Sequence, residues 1–386
     1  MSFKEKDKQF VANTYGRFDV ELVSGKGAEL YDVNGKKYID LGSGIAVNTF
    51  GAADDEWKNA VIKQLGLIQH TSNLYYTEPC AKLAELLCQK SGMKKVFFGN
   101  SGAEANECAI KVARKYYSDN HNGKQGKIIT LVNSFHGRTV TTLSATGQDV
   151  FHKDFGPFTD GFQFCEANNC AQLESMVGDD TAAVMIELVQ GEGGVNALDK
   201  KFVDCIRALS EKYGFLVIAD EVQTGNGRTG KYFASEHFGL KPDIISTAKG
   251  LGGGLPIGAC LLSERVEFTL GAGDHGSTFG GNPAVCAGAV SIVERIDDEL
   301  LKSVTEKAEY INKKLLEIKG VKSVSGLGLM IGIETEKPAK ELATACLEKG
   351  VLILTAKTKL RMLPPLNITY EQLDKALEIL KEIIEK

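Results

Sequence analysis

Phe215-Leu216-Val217-Ile218-Ala219-Asp220-Glu221 and, further on, Asp243-Ile244-Ile245-Ser246-Thr247-Ala248-Lys249 share one design, a short apolar run that stops at an ionisable residue. Runs of this kind suit strands buried on both faces. Lys95-Val96-Phe97-Phe98, Ile128-Ile129-Thr130-Leu131-Val132 and Ala183-Val184-Met185-Ile186 are of the same type. Helical patterns such as Glu104 to Tyr117 and Phe202 to Tyr213 lie between them. This alternation predicts an α/β fold, a large domain whose mostly parallel sheet is flanked by helices.

Outward from that core the texture changes. After about residue 290, Leu300 to Ile318 and Glu371 to Ile384 read as amphipathic helices, with Val324 to Ile333 and Val351 to Leu354 as strands between them. That pattern predicts a smaller α+β domain. Ala28 to Ile39 reads as a hairpin with an Asn34-Gly35 turn, and is expected to pack with the C-terminal part. The expected division is 1–50, an N-terminal segment; 51–289, the large domain; and 290–386, the small one. A chain of 386 residues favours two domains over one.

The charge balance is mild, 45 basic against 50 acidic residues for a net charge of -5, without a long run of either sign. Nucleic-acid and membrane-surface partners are therefore not expected, and small molecules are. Nine cysteines without a Cys-x-x-Cys pair suit reduced thiols better than disulfides or zinc, so no metal is expected. The charged opening, Met1 to Lys6, lacks the apolar stretch of a signal peptide, and no run approaches the roughly 18 apolar residues that span a bilayer. The expected location is the cytoplasm.

Lys249 and Asp220 carry the chemistry. An amine that can condense with an aldehyde and a carboxylate that can hold a pyridinium proton are what a protein supplies to pyridoxal phosphate, an electron-sink cofactor. A strand-end carboxylate is also a common helix cap and a lone lysine is usually solvated. Their joint placement, with Gly250-Leu251-Gly252-Gly253-Gly254 directly after the lysine, favours catalysis. Gly99-Asn100-Ser101-Gly102-Ala103-Glu104 follows a strand and opens a helix, where backbone N–H groups can take a phosphate. The same residues make a capping box from Ser101 and Glu104, which requires no ligand. Phe135 can stack on a pyridine ring, and the Arg138 fork suits a substrate carboxylate, although each residue also has an ordinary packing or solvated role.

Gly225-Asn226-Gly227-Arg228-Thr229-Gly230 fits the dinucleotide pattern G-x-G-x-x-G, which would imply a nicotinamide oxidoreductase. Asp220 and Glu221 intervene between strand and glycines, and no long amphipathic helix follows, so a flexible glycine loop is expected there instead. A ligand-sensing module that binds the cofactor without turnover is the other rival.

Nearly end to end, the chain resembles the class III pyridoxal-phosphate aminotransferases. The motifs are Asn100-Ser101-Gly102-Ala103-Glu104-Ala105-Asn106, Ser134-Phe135-His136-Gly137-Arg138-Thr139, Gln190-Gly191-Glu192-Gly193-Gly194, Asp220-Glu221-Val222-Gln223-Thr224-Gly225 and His275-Gly276-Ser277-Thr278-Phe279-Gly280-Gly281-Asn282-Pro283. The resemblance implies a fold of type I for this cofactor, with Lys249 bound covalently to the cofactor, Asp220 on its ring nitrogen, Gln223 on its phenolic oxygen and Phe135 on its ring. Ser101, Gly102 and Ala103 would hold phosphate, with Glu221 also among the cofactor-binding residues. Thr278 would reach the phosphate of a neighbouring subunit and Ser277 its substrate, implying a homodimer with shared sites.

By the same resemblance, the reaction moves the terminal amino group of N2-acetylornithine to 2-oxoglutarate, giving N-acetylglutamate 5-semialdehyde and glutamate in arginine biosynthesis. Arg138 would bind the donor's α-carboxylate and Arg361 that of glutamate, with Glu192 neutralising Arg361 in the other half-reaction. Ornithine, N-succinylornithine and 4-aminobutyrate are the alternative donors. Gly44, where ornithine δ-aminotransferases tend to carry tyrosine, favours an acylated amine.

Two departures stand out. Ala46-Val47-Asn48-Thr49-Phe50-Gly51 runs into Ala52-Ala53-Asp54-Asp55-Glu56-Trp57 where the family usually has Gly-His-x-His-Pro, which puts the entry of the following helix in question. Leu188 replaces a proline after Glu187, which is expected to alter backbone stiffness rather than chemistry.

Overall fold

The computed structural model describes residues 2–386; Met1, the first residue of the charged opening stretch, lies outside them. Seven strands build the central sheet: β1 (Lys95–Gly99), β2 (Lys127–Leu131), β3 (Phe162–Cys165), β4 (Thr181–Ile186), β5 (Leu216–Asp220), β6 (Ile244–Thr247) and β7 (Gly258–Leu262). Their order is β1-β7-β6-β5-β4-β2-β3. Parallel ladders link β6, β5, β4, β2 and β3 in turn, while β7 runs antiparallel to both β6 and β1. The sheet is mostly parallel, with one reversed strand that the apolar-run reading missed, as it missed β3 at the edge.

Strand geometry sends successive side chains to opposite faces, so each apolar run feeds two cores. Ile128, Ile218 and Ile244 pack beneath Ala109, Val112 and Ala113 of the helix Gly102–Asn120. Their neighbours Ile129 and Val217 point the other way, against Phe202, Val203 and Ile206 of the helix Lys200–Tyr213. Every residue of β4 and β5 is buried. The rigid result sets the carboxyl ends of β5 and β6 side by side.

Outside this sheet, Leu22–Lys26, Glu29–Asp32 and Lys37–Asp40 form an antiparallel meander that Val351–Leu352 extends in parallel. Gly35 turns it with φ of 77°. The stretch expected as one strand from Val324 to Ile333 is instead a hairpin, Val321–Leu327 against Met330–Thr335. Gly328 makes the reversal at φ 56°, and a Cβ there would stand 2.4 Å from the Thr229 backbone, so only glycine fits. Strand Lys359–Met362 pairs with this hairpin, and Leu360 and Met362 join Leu373, Leu377 and Leu380 of the last helix in one core.

The unusual stretch before Trp57 still starts a helix. Asp54 Oδ1 accepts the Trp57 N–H at 2.9 Å and caps Asp55–Leu65, while its carboxylate pairs with Arg295 at 2.7 Å. Trp57 Nε1 donates to the Gly252 carbonyl at 2.9 Å, bracing the glycines that follow Lys249. Leu188 is buried, and its carbonyl accepts the Leu198 N–H at 2.9 Å. All nine cysteines are free thiols. Among the described residues, no helix is long and apolar enough to cross a membrane.

Candidate active site

At the carboxyl ends of β5 and β6 lies a cavity of about 460 Å³, whose wall includes Gly102, Ala103, Phe135, Arg138, Asp220 and Lys249. Asp220 closes β5 and is gripped from three sides. Its Oδ2 accepts from Asn106 Nδ2 and faces His136 Nδ1, each at 2.8 Å, and its Oδ1 accepts the Val222 N–H at 3.0 Å. Asn106 also donates to the His136 carbonyl at 2.7 Å, so helix and loop hold the carboxylate together.

Lys249 follows β6 with φ of 44°, a left-handed conformation that costs a non-glycine residue of order 1 kcal/mol and is found preferentially at functional sites. Burial of its ammonium pushes its pKa below the ordinary lysine range. Glu192 pulls upward, Arg361 downward, and Asp220 and Glu187 upward again. A lowered pKa leaves a larger fraction of the amine uncharged, which is the form that can attack a carbonyl or accept a proton.

Across the cavity the helix Gly102–Asn120 presents its N-terminus. Ser101 Oγ accepts the Glu104 N–H at 3.2 Å, and the Glu104 carboxylate accepts the Asn100 N–H at 2.5 Å. Ser101 therefore caps the helix without the reciprocal bond of a full capping box, since Glu104 takes the Asn100 rather than the Ser101 N–H; Gly102 and Ala103 sit in the first turn, where a helix has no carbonyl for their N–H groups, and both line the cavity. A Cβ on Gly102 would reach within 2.7 Å of the Val222 side chain. Phe135 and Val222 both contribute to the wall.

Arg361 arrives from the strand Lys359–Met362 and is 3% exposed. Its Nη1 donates to Glu192 Oε1 at 2.6 Å, to Gln223 Oε1 at 3.2 Å and to the Gly191 carbonyl at 3.3 Å. Burial works against charge on Glu192, but the guanidinium overrides it and holds the carboxyl below its usual range.

Five of the expected site residues do not line the cavity: Glu192 and Arg361 meet it through Gln223, Ser277 stands at its rim, and Glu221 and Thr278 are not brought to it within one chain. Glu221 turns away: its carboxylate accepts from Thr224 Oγ1 at 2.5 Å and from the N–H groups of Ala234 and Ser235 at 2.9 and 2.8 Å. Those bonds commit the Glu221 carboxylate to the segment 224–235 and away from the cavity. Thr278 is exposed and does not line the cavity, whereas Ser277 Oγ accepts from Asn100 Nδ2 at 3.1 Å, at the cavity rim. The glycine loop 225–230 is not flexible but pinned. Buried Arg228 donates to the Pro364 and Leu329 carbonyls at 2.5 and 3.2 Å, and only a five-residue 3-10 turn, Ala234–Phe238, follows.

Asn106, His136, Val222 and Glu187 escaped the sequence reading. Glu187 Oε2 accepts the Phe135 N–H at 2.8 Å, and burial together with Asp220 raises its pKa well above the carboxylate range. Asn106 and His136 lie within the quoted motifs. Their place in those motifs was the available signal, since their sequence neighbours Glu104, Glu107, Ser134 and Arg138 are polar as well.

The donor set fits pyridoxal phosphate. A deprotonatable amine, an oriented carboxylate, an anion-ready helix start and an aromatic wall converge on one cavity, and the buried Asn106 Oδ1, His136 Nε2 and Arg361 Nε carry no partner.

Comparison with known proteins agrees. The model of the family "Aminotransferase class-III" matches residues 10–384. Acetylornithine aminotransferase of Haemophilus ducreyi is 51% identical over 384 residues, 99% of this chain and 98% of that one. Its counterpart in Methanocaldococcus jannaschii is 47% identical, covering 98% of this chain and 96% of that one. Among solved structures, ornithine aminotransferase from Toxoplasma gondii superposes with a TM-score of 0.94 at 30% identity, covering 99% of this chain and 94% of that chain. N-acetylornithine aminotransferase from Stenotrophomonas maltophilia gives 0.85 at 34%, covering 98% of both chains. With its fold, cavity and end-to-end kinship in agreement, the chain belongs to the class-III aminotransferases, which are pyridoxal-phosphate-dependent enzymes.

Proposed function

We propose that the protein moves the terminal amino group of N2-acetylornithine to 2-oxoglutarate, yielding N-acetylglutamate 5-semialdehyde and glutamate for arginine biosynthesis. The observation that carries this reading is the pair of arginines around Lys249: Arg138 at the cavity wall, and Arg361 paired with Glu192 at 2.6 Å. 2-Oxoglutarate has two carboxylates for two arginines. The acetylated donor has one, which Arg138 takes, so Arg361 then requires the neutralising partner that Glu192 supplies.

Bound pyridoxal phosphate supplies an aldehyde for imine exchange and a protonated ring that absorbs electrons from the reacting carbon. The chain's residues do the rest. Asp220, braced by Asn106 and His136, holds the proton at the ring nitrogen, and Gln223 meets the phenolic oxygen. Phe135 and Val222 would bound the ring as parts of the cavity wall, while the N–H groups of Gly102 and Ala103, with Ser101 beside them, would hold the phosphate. Lys249 Nζ would hold the cofactor covalently at rest and, once the incoming amine has displaced it, would be free to take the proton from the donor's terminal carbon.

We further propose a homodimer in which Thr278 completes the partner's phosphate site and Ser277 its substrate site. Supporting this, Leu74, Tyr75, Tyr76 and Phe279 are exposed, and Asn73 Nδ2 ties the two segments together by donating to the Ser277 and Gly280 carbonyls at 3.0 and 2.8 Å.

Two measurements test the proposal. Initial rates with N-acetylornithine, N-succinylornithine, ornithine and 4-aminobutyrate, each against 2-oxoglutarate, should rank N-acetylornithine first; a strong preference for 4-aminobutyrate overturns the substrate assignment. Borohydride reduction and peptide mapping should place the pyridoxyl label on Lys249, and a label elsewhere removes the basis of the mechanism.

A further inference from the structure

Arg138 is exposed, and among the described residues no carboxylate lies within ion-pair distance of it. A long cationic side chain in that condition ordinarily samples many rotamers, and fixing it costs about 2 kcal/mol. Instead its guanidinium carbon lies 4.0 Å from the centroid of the Phe151 ring, with the Phe135 ring at 5.5 Å. The two rings meet edge to face, 5.7 Å apart at 78°.

Phe151 is itself anchored. It ends the 3-10 turn Asp149–Phe151, and its N–H donates to the Gln148 carbonyl at 3.0 Å. Gln148 is buried and its Nε2 donates to the Ser134 carbonyl at 3.0 Å, one residue before Phe135. The Gly147 N–H donates to Ser134 Oγ, also at 3.0 Å. The turn that carries Phe151 is thus bolted to the loop that carries Arg138.

We propose that Phe151 is a positioning residue for the substrate carboxylate, a shelf that fixes the Arg138 guanidinium by its flat face. Stacking is suited to this task. The N–H donors of a guanidinium lie in its plane, so an aromatic ring beneath the plane immobilises the group without occupying a donor or neutralising its charge. An acidic partner would do both. The inference rests on the reading of Arg138 as the carboxylate-binding residue.

The test uses Phe151→Leu, which keeps apolar bulk without a π face, and Phe151→Tyr, which keeps the face. In Phe151→Leu the KM for N-acetylornithine and for 2-oxoglutarate should each rise roughly three- to tenfold, with kcat within about twofold, and Phe151→Tyr should restore both. Calorimetric titration of the purified proteins with glutarate, an unreactive dicarboxylate, should show the same ratio of Kd values. Phe151→Leu with KM values and glutarate Kd within about twofold of wild type overturns the shelf, as does a tyrosine variant as impaired as the leucine one. If wild type turns over none of the donors, the functional reading fails, yet the glutarate ratio still decides the shelf.

Discussion

Arg138 and Arg361 are chemically identical and are held by opposite means. Arg361 is buried, comes from a strand of the C-terminal region, and spends its Nη1 donor on Glu192, Gln223 and the Gly191 carbonyl. Arg138 is exposed on a loop of the large sheet and rests on aromatic faces with its in-plane donors uncommitted. The difference teaches how one cavity serves two substrates. A cation whose partner is a removable acid can be switched off; a cation stabilised by a ring stays available. In the proposed reaction both substrates would bring one carboxylate to Arg138, and only the oxo acid would bring a second.

Truncating each arginine is the most severe way to break that contrast. Loss of charge-assisted hydrogen bonds to a carboxylate costs about 1.5–3 kcal/mol, which is roughly tenfold to somewhat over a hundredfold in affinity. Arg138→Ala should therefore depress both half-reactions by roughly tenfold to a hundredfold in kcat/KM, whereas Arg361→Ala should depress the 2-oxoglutarate half-reaction alone to that extent. Single-turnover absorbance changes, recorded separately with amine donor and with oxo acid, read each half directly. Equal damage to both halves by Arg361→Ala would erase the proposed division of labour.

Glu192 provides a gentler test. Glu192→Gln leaves Arg361 charged when no second carboxylate is present, so the KM for N-acetylornithine should rise about tenfold while that for 2-oxoglutarate stays level or falls. The pH dependence has a definite sign. Because Arg361 holds the Glu192 carboxyl below its ordinary value, the pair is intact above that value and is lost only as pH falls through the depressed pKa. From about pH 6 to pH 5 the wild-type KM for the donor should stay flat in Glu192's titration, since even an unperturbed glutamate titrates near 4.3. A rise centred in that interval that Glu192→Gln abolishes would mean that Arg361 does not control Glu192.

Much of this site was legible before any coordinates. Apolar runs ending in Asp220 and Lys249 required a strand end for each, and parallel-sheet geometry then puts such ends together. What stayed hidden depended on contacts between distant segments. Nothing local announces that Asn106 and His136 converge on Asp220, or that Phe151 lies under Arg138. Arg228 read as part of a flexible loop because its acceptors, the carbonyls of Leu329 and Pro364, lie more than 100 positions away. The fusion of two strands into one expected run from Val324 to Ile333 had another cause. The apolar residues on both sides of Gly328 are continuous in composition, and only its positive φ marks the turn. Glu221 belongs with the hidden contacts, since the partners of its carboxylate, Thr224, Ala234 and Ser235, come from the chain that follows the strand.

A third arginine sharpens the contrast at the smallest scale. Arg295 lies 4.0 Å from the Phe50 ring centroid, the same spacing as Arg138 over Phe151, but its Nη1 and Nη2 also donate to the two oxygens of Asp54 at 3.1 and 2.7 Å. Stacked and neutralised together, it has no cation to offer a ligand and serves as a brace for the helix Asp55–Leu65. Asp54→Ala removes the helix cap and the ion pair at once, which should cost about 1–2 kcal/mol of stability, most of it from the cap. For a chain of this length that lowers Tm by only a few degrees. Glutarate affinity should remain within about twofold of wild type, because no carboxylate-binding donor has moved. Thermal unfolding and glutarate titration of this variant beside Phe151→Leu would then dissociate in opposite directions, stability falling in one and affinity in the other. If Asp54→Ala weakened glutarate as much as Phe151→Leu does, stacking at 4.0 Å would mark general rigidity rather than a prepared cation, and the distinction between the two kinds of arginine would not hold.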